Sequence, residues 1–184
     1  MLAIRMQDAI VRNQKLNEDI AVSRAARLEI HQEELTFSAG HFTIFSRTER
    51  EQLHGHNYHI SVAFNTEIGP EGLSFDYRHY KKMMAALCEE LDGRFMLPAN
   101  SPFLSLAQGD DYLYAHFNQQ KIPFLREDII LLPISNTTLE ELSHYFLQQL
   151  LKNEKDIKQH AISGITVKIY NGPGQSSAST WGKM

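Results

Sequence analysis

Two histidines one residue apart open the run "EREQLHGHNYHISV" (residues 49–62), where the chain begins to alternate like a β-strand. A catalytic zinc takes three protein ligands and keeps one coordination position open. His-x-His on a strand supplies two of these, because a period of two sets both imidazoles on one face, about 7 Å apart along the backbone. His54 and His56 share the parity of Ile60, Val62 and Phe64, the apolar side of that run. The best third ligand is His41, which ends "EELTFSAGHF" (33–42) on the side of Leu35 and Phe37. Three histidines on an inner face are costly as bare polar groups and sensible as ligands. All-imidazole ligation favours zinc and also suits iron, copper or nickel. The remaining histidines have a plainer reading. His59 faces outward, His79 and His144 lie off the apolar stripes of helices, and His31, His116 and His160 have no evident partner.

The elements that must hold these residues follow from periodicity. Segments 33–42 and 56–67 alternate as half-buried strands and are expected to pair antiparallel. "SFDYRHYKKMMAALCEELDG" carries Tyr77, Tyr80, Met84, Leu87, Cys88 and Leu91 at helical spacing, with Ser74 or Asp76 to cap its start and Gly93 for the left-handed position past its end. Cys88 therefore reads as a core residue. "TTLEELSHYFLQQLLK" (137–152) is a second helix, for which Thr137/Glu140 and Thr138/Glu141 both fit a capping box. "GITVKIYNGPG" is a last strand, with Ile165, Val167, Ile169 and Asn171 on one face. "DYLYAHF" and "DIILLPI" look like minor strands. The order predicts an α+β fold, a sheet covered on one face by two helices. Residues 1–28 read as a helical or partly ordered extension, and 29–184 as a single domain with an insertion at about 99–136.

Composition narrows the function classes. The 184 residues suffice for one domain with a real core. Eighteen basic and twenty-two acidic residues leave a formal charge of −4, with no sign of nucleic acid or an acidic membrane as partner. Cys88 is the only cysteine, so no intrachain disulfide and no CxxC cluster can form. Neither a signal peptide nor an apolar run of membrane-spanning length is evident, and a cytoplasmic protein is expected.

"FSAGHF", "ExxLHGHNY" (Glu51–Tyr58), "GLSFDYRHYK", "ELDGRFMLP", "TTLEEL" and a final "PGQSSAS" occur in order from about residue 33 to 178. This chain resembles the 6-pyruvoyl-tetrahydropterin synthase / 6-carboxy-tetrahydropterin synthase family. The resemblance implies a tunnelling fold whose subunits assemble into barrels, usually a hexamer built as a dimer of trimers, with the active site at a subunit interface. It implies zinc on His41, His54 and His56, and a dihydropterin substrate, typically dihydroneopterin triphosphate. It further implies a proton-abstracting cysteine near the HGH, an Asp-His pair, a glutamate on the last strand that anchors the pterin ring, and a Thr-Thr region nearby.

Several of those positions differ here. Arg50 stands where the cysteine is common. A branch of the family carries Glu-x-x-His-Gly-His, with glutamate replacing cysteine and the pterin side chain cleaved to a hydroxymethyl group; Glu51 fits that spacing, and is otherwise a solvated loop carboxylate. The Asp-His pair reads Asp92-Gly93, which keeps the aspartate while the glycine suits a helix cap. The place of the anchoring glutamate falls on Asn171, or less well on Ile169, and Asn offers one acceptor and one donor where a carboxylate accepts twice. The leading expectation is a zinc-dependent lyase acting on a dihydropterin, with Glu51 and Asp92 as catalytic groups and Thr137, Thr138 and Asn171 holding the ring. The alternatives are a pterin-binding or scaffold homologue that retains zinc and oligomer without the chemistry, and the same fold acting on a different heterocycle.

Overall fold

The computed structural model describes residues 24–183, apart from the side chains of residues 32 and 33. Two long strands, β1 (Arg24–His41) and β2 (His54–Ile68), run antiparallel as expected. β1 starts earlier than the alternation at 33–42 indicated, taking in the last five residues of the stretch read as an extension. The rest of that reading, residues 1–23, lies outside the described residues. A bulge between His31 and Thr36 hides the early start. It resets which parity points inward, so that Ile30 and Leu35, five positions apart, are both buried.

After β2 come helix α1 (Arg78–Leu91) and strand β3 (Phe95–Pro98). Asp76 Oδ1 accepts the Arg78 N–H at 3.0 Å, and Gly93 adopts φ of +71°, the left-handed conformation that ends the helix. Strands β4 (Leu104–Gln108), β5 (Tyr112–Phe117) and β6 (Gln120–Leu125) form a separate antiparallel sheet, which leads through a 3-10 turn to β7 (Ile129–Leu132). Helix α2 (Leu139–Leu151) starts at Thr138, whose hydroxyl accepts the Glu141 N–H. Of the two capping-box registers, this is the one adopted. Glu141 does not reach back to Thr138; its Oε2 accepts the Ser135 N–H. A short helix α3 (Glu154–Gln159) and strands β8 (Gly164–Tyr170) and β9 (Ser176–Gly182) complete the chain.

The main sheet has the order β7-β3-β1-β2-β8-β9. Its four strands β1, β2, β8 and β9 are antiparallel, while β3 and β7 join along the β1 edge in parallel. Gly40 lets β3 approach, since a Cβ there would lie 2.4 Å from the Phe95 ring. The inner face of the sheet (Phe37, Tyr58, Ile60, Val62, Phe64, Val167, Ile169) packs on Tyr80, Met84 and Leu91 of α1 and Leu142, Phe146 and Leu150 of α2. Burial of each such side chain contributes about 1.5–3 kcal/mol. Cys88 is buried in the same cluster, as expected.

The small sheet has its own core, where Leu104, Leu113, Ala115 and Phe117 lie against Phe42, Ile44 and Leu97. The segment read as an insertion thus docks on the chain that leaves β1, immediately beyond His41.

Candidate metal centre

Antiparallel pairing sets His41 directly opposite His54, and Ala39 opposite His56. The three imidazoles therefore meet where the two longest strands end together. Ring centroids are 4.5 Å apart for His41–His54, 5.2 Å for His41–His56 and 4.8 Å for His54–His56. One ring nitrogen from each lies within 4.8 Å of the others, so the cluster can hold a metal ion.

Hydrogen bonding selects the tautomers. The His41 Nδ1–H donates to the Thr137 carbonyl at 2.9 Å and the His54 Nδ1–H to the Gln52 carbonyl at 2.8 Å. Each bond leaves Nε2 with a free lone pair facing the cluster. His41 Nε2 is buried without a protein partner, and His54 Nε2 stands 3.1 Å from His56 Nε2. A buried acceptor without a donor is costly, and a metal ion satisfies it. The residues present fit a metal bound by three imidazoles. Burial pushes His41 down from 6.5 to about 4; the Thr137 bond opposes this shift, while His54 and His56 reinforce it. Burial and the neighbouring His54 also hold His56 below its usual value. The environment of His41 and His56 thus favours the neutral form that ligates.

Glu51 belongs to this group. Its Oε2 accepts the Thr43 N–H at 2.8 Å and stands 3.9 Å from His54 Nε2, and its own N–H donates to the Thr43 carbonyl. Burial would raise its carboxyl, but the hydrogen bonds from Thr43, together with His54 and His41, outweigh that and leave it below the usual range. Glu51 is therefore a fixed, ionised carboxylate at the mouth of the cluster.

A cavity of about 680 Å³ opens beside the histidines, lined also by Thr138 and Glu140 from the start of α2 and by Asn171, Gln175 and Ser176 from the β8–β9 connection. Thr137 also borders it, but its side chain is committed: Oγ1 donates to the Phe42 carbonyl at 2.8 Å, and the residue is 1 % exposed. Its observed contacts hold His41 in place. The structure does not bring Asp92 to this cavity within one chain. Its Oδ1 accepts the Ser38 N–H at 2.7 Å, and the Gly93 N–H donates to the Ser38 carbonyl, so the pair fastens the end of α1 to β1. Gly93 borders a second cavity, of about 650 Å³, along with Ser38, Gly40, Gly55 and Asn57.

Arg50 turns away from the histidines. Its guanidinium donates to Gln120 Oε1 at 2.8 and 3.2 Å and to the Glu51 carbonyl at 2.7 Å, and lies over the Phe42 and Phe117 rings. Three further contributors escaped sequence reasoning. The carbonyls of Thr137 and Gln52 act through the main chain, which leaves no mark on residue type. Tyr58 did carry a signal, since it follows His56 on the same face of β2. Tyr58 lines the cavity, its buried hydroxyl has no hydrogen-bond partner in the protein, and burial, then the negative charge of Glu51, raises its pKa so that it stays protonated.

A curled α+β sheet with two helices on one face and three inward histidines at its strand ends defines a tunnelling-fold protein with a candidate metal centre. Residues 29–181 match the family model described as 6-pyruvoyl tetrahydropterin synthase, and the chain belongs to that family. A relative from Methanocaldococcus jannaschii, described as a putative 6-carboxy-5,6,7,8-tetrahydropterin synthase, is 31% identical over 144 residues, covering 78% of this chain and 88% of that protein. Among solved structures, the 6-pyruvoyl tetrahydropterin synthase of Plasmodium vivax superimposes with a TM-score of 0.82 at 26% identity, covering 87% of this chain and 99% of its own. The Plasmodium falciparum enzyme gives 0.81 at 25% identity, covering 86% and 99%. The Plasmodium vivax protein has also been solved as variants in which a glutamate, described as a catalytic residue, is replaced by alanine or cysteine.

Proposed function

We propose that this chain is a zinc-dependent, lyase-like enzyme acting on a dihydropterin, with dihydroneopterin triphosphate as the reference substrate. The observation that carries the reading is the convergence of three imidazoles with one carboxylate, 3.9 Å from His54 Nε2, in a cavity of substrate size. Zinc bound by His41, His54 and His56 would supply Lewis acidity toward a side-chain oxygen of the substrate. Glu51, aimed by Thr43, would remove the proton of a side-chain hydroxyl as the neighbouring carbon–carbon bond breaks, and return it to the carbon left on the ring. Thr138 and Asn171, which line the same cavity, would hold the ring. The Plasmodium vivax variants support a glutamate in this role, because that related protein has a glutamate described as catalytic.

Assembly as a hexamer, a dimer of trimers, belongs to the same reading and is supported by the two outer strands β7 and β9, each paired on one side within the sheet. The binding-only alternative is favoured by Gly93 in place of the pair's histidine and by the anchoring of Asp92 to Ser38. Incubating the zinc-loaded protein with dihydroneopterin triphosphate and following pterin products by chromatography separates the two. The expected result is turnover that falls about 100-fold or more in Glu51→Gln. Absence of turnover with tight pterin binding supports the alternative, and turnover unchanged in Glu51→Gln removes the carboxylate from the mechanism.

A further inference from the structure

Along the inner face of β2, the side chains run from the rim inward as His54, His56 and Tyr58. The first is about a third exposed, and Tyr58 is 1 % exposed. The Tyr58 ring is held on three sides. It stacks on Phe37 at 4.7 Å with 15° between planes, and meets His41 and His56 edge-on, each at 6.0 Å. The hydroxyl oxygen is buried, has no hydrogen-bond partner in the protein, and belongs to a residue that lines the cavity beside the cluster.

Leaving a buried hydroxyl unpaired costs free energy that a phenylalanine at the same place would avoid. We propose that Tyr58 is a specificity-determining residue whose hydroxyl donates a hydrogen bond to an acceptor atom on the inward edge of the bound heterocycle. The inference rests on the proposed function and adds to it a direction: the ligand presents a carbonyl oxygen or an unprotonated ring nitrogen to the floor of the cavity. A ligand that offers only donors or carbon there would leave the hydroxyl unpaired and be rejected.

Tyr58→Phe keeps the ring, its stacking and its edge contacts while removing the oxygen. The zinc-loaded variant is compared with wild type in three measurements: thermal unfolding without pterin, bound zinc, and dihydropterin affinity by calorimetry. The expected outcome is unfolding at the same or a higher temperature, unchanged zinc, and pterin affinity reduced about tenfold. Lower thermal stability without ligand would reveal an internal partner for the hydroxyl and overturn the inference, as would undiminished affinity. A wild type that binds no dihydropterin defeats the proposed function and this inference together, whereas a wild type that binds and a variant that binds equally well defeats this inference alone.

Discussion

Thr137→Val separates two roles for one residue. Valine matches threonine closely in shape, so the substitution removes the donor to the Phe42 carbonyl, a 2.8 Å bond in a residue 1 % exposed, and little else. A buried carbonyl left without its donor costs about 1–3 kcal/mol. In a domain of this length each kcal/mol lowers the unfolding temperature by about 2–4 °C, which gives a fall of about 2–12 °C. The same change loosens the segment whose carbonyl fixes His41 in the ligating tautomer. Loss of such an outer partner typically weakens metal affinity about 10–100-fold. Differential scanning fluorimetry of the metal-free protein reads the first quantity, and competition with a chromophoric zinc chelator reads the second. If Thr137 instead binds the ring through its hydroxyl, both would stay at wild-type values and only KM would rise; that pattern would refute the positioning role.

Two further expectations concern buried titratable groups. In the metal-free protein His41 is held at about 4, against 6.5 when unfolded, so the unfolded chain takes up a proton first as pH falls. The associated stability is fully present above pH 6.5 and is lost progressively toward pH 4, about 3 kcal/mol in all; urea titrations across that range should show the loss in wild type and a flatter profile in His41→Leu, and equal profiles would contradict the assignment. Cys88, 1 % exposed and pushed up to about 12 by burial and then Asp92, should resist a thiol reagent in the folded protein and react at one thiol per chain in denaturant, whereas rapid labelling of the native state would place it outside the core.

Most of the candidate metal centre was legible in the sequence because strand parity is a strict rule once a strand is regular. His41, His54 and His56 lie on regular stretches that end at the same edge, and side-chain parity located all three. Parity failed for residues 24–31, where the bulge reverses it, and for β9, whose "SSASTWG" has no apolar alternation because it is an outer strand with little to bury. The parallel attachment of β3 and β7 left no local trace, since pairing between distant strands is decided by packing and not by either strand alone. At two positions residue type gave no sign of the contacts made. Thr137 contributes a carbonyl to His41 and a hydroxyl to Phe42. Within one chain the Asp92 carboxylate is bonded to the Ser38 N–H.

Arg50 stands on a seam. Its guanidinium lies between the Phe42 and Phe117 rings and reaches Gln120, while its main chain continues directly into Glu51. The histidines hang from the large core, and the carboxylate hangs from the border with the small one. The distance between the candidate metal site and Glu51 is therefore set by how the two cores fit together. Substitutions in the β4–β6 sheet can therefore tune the reach of Glu51.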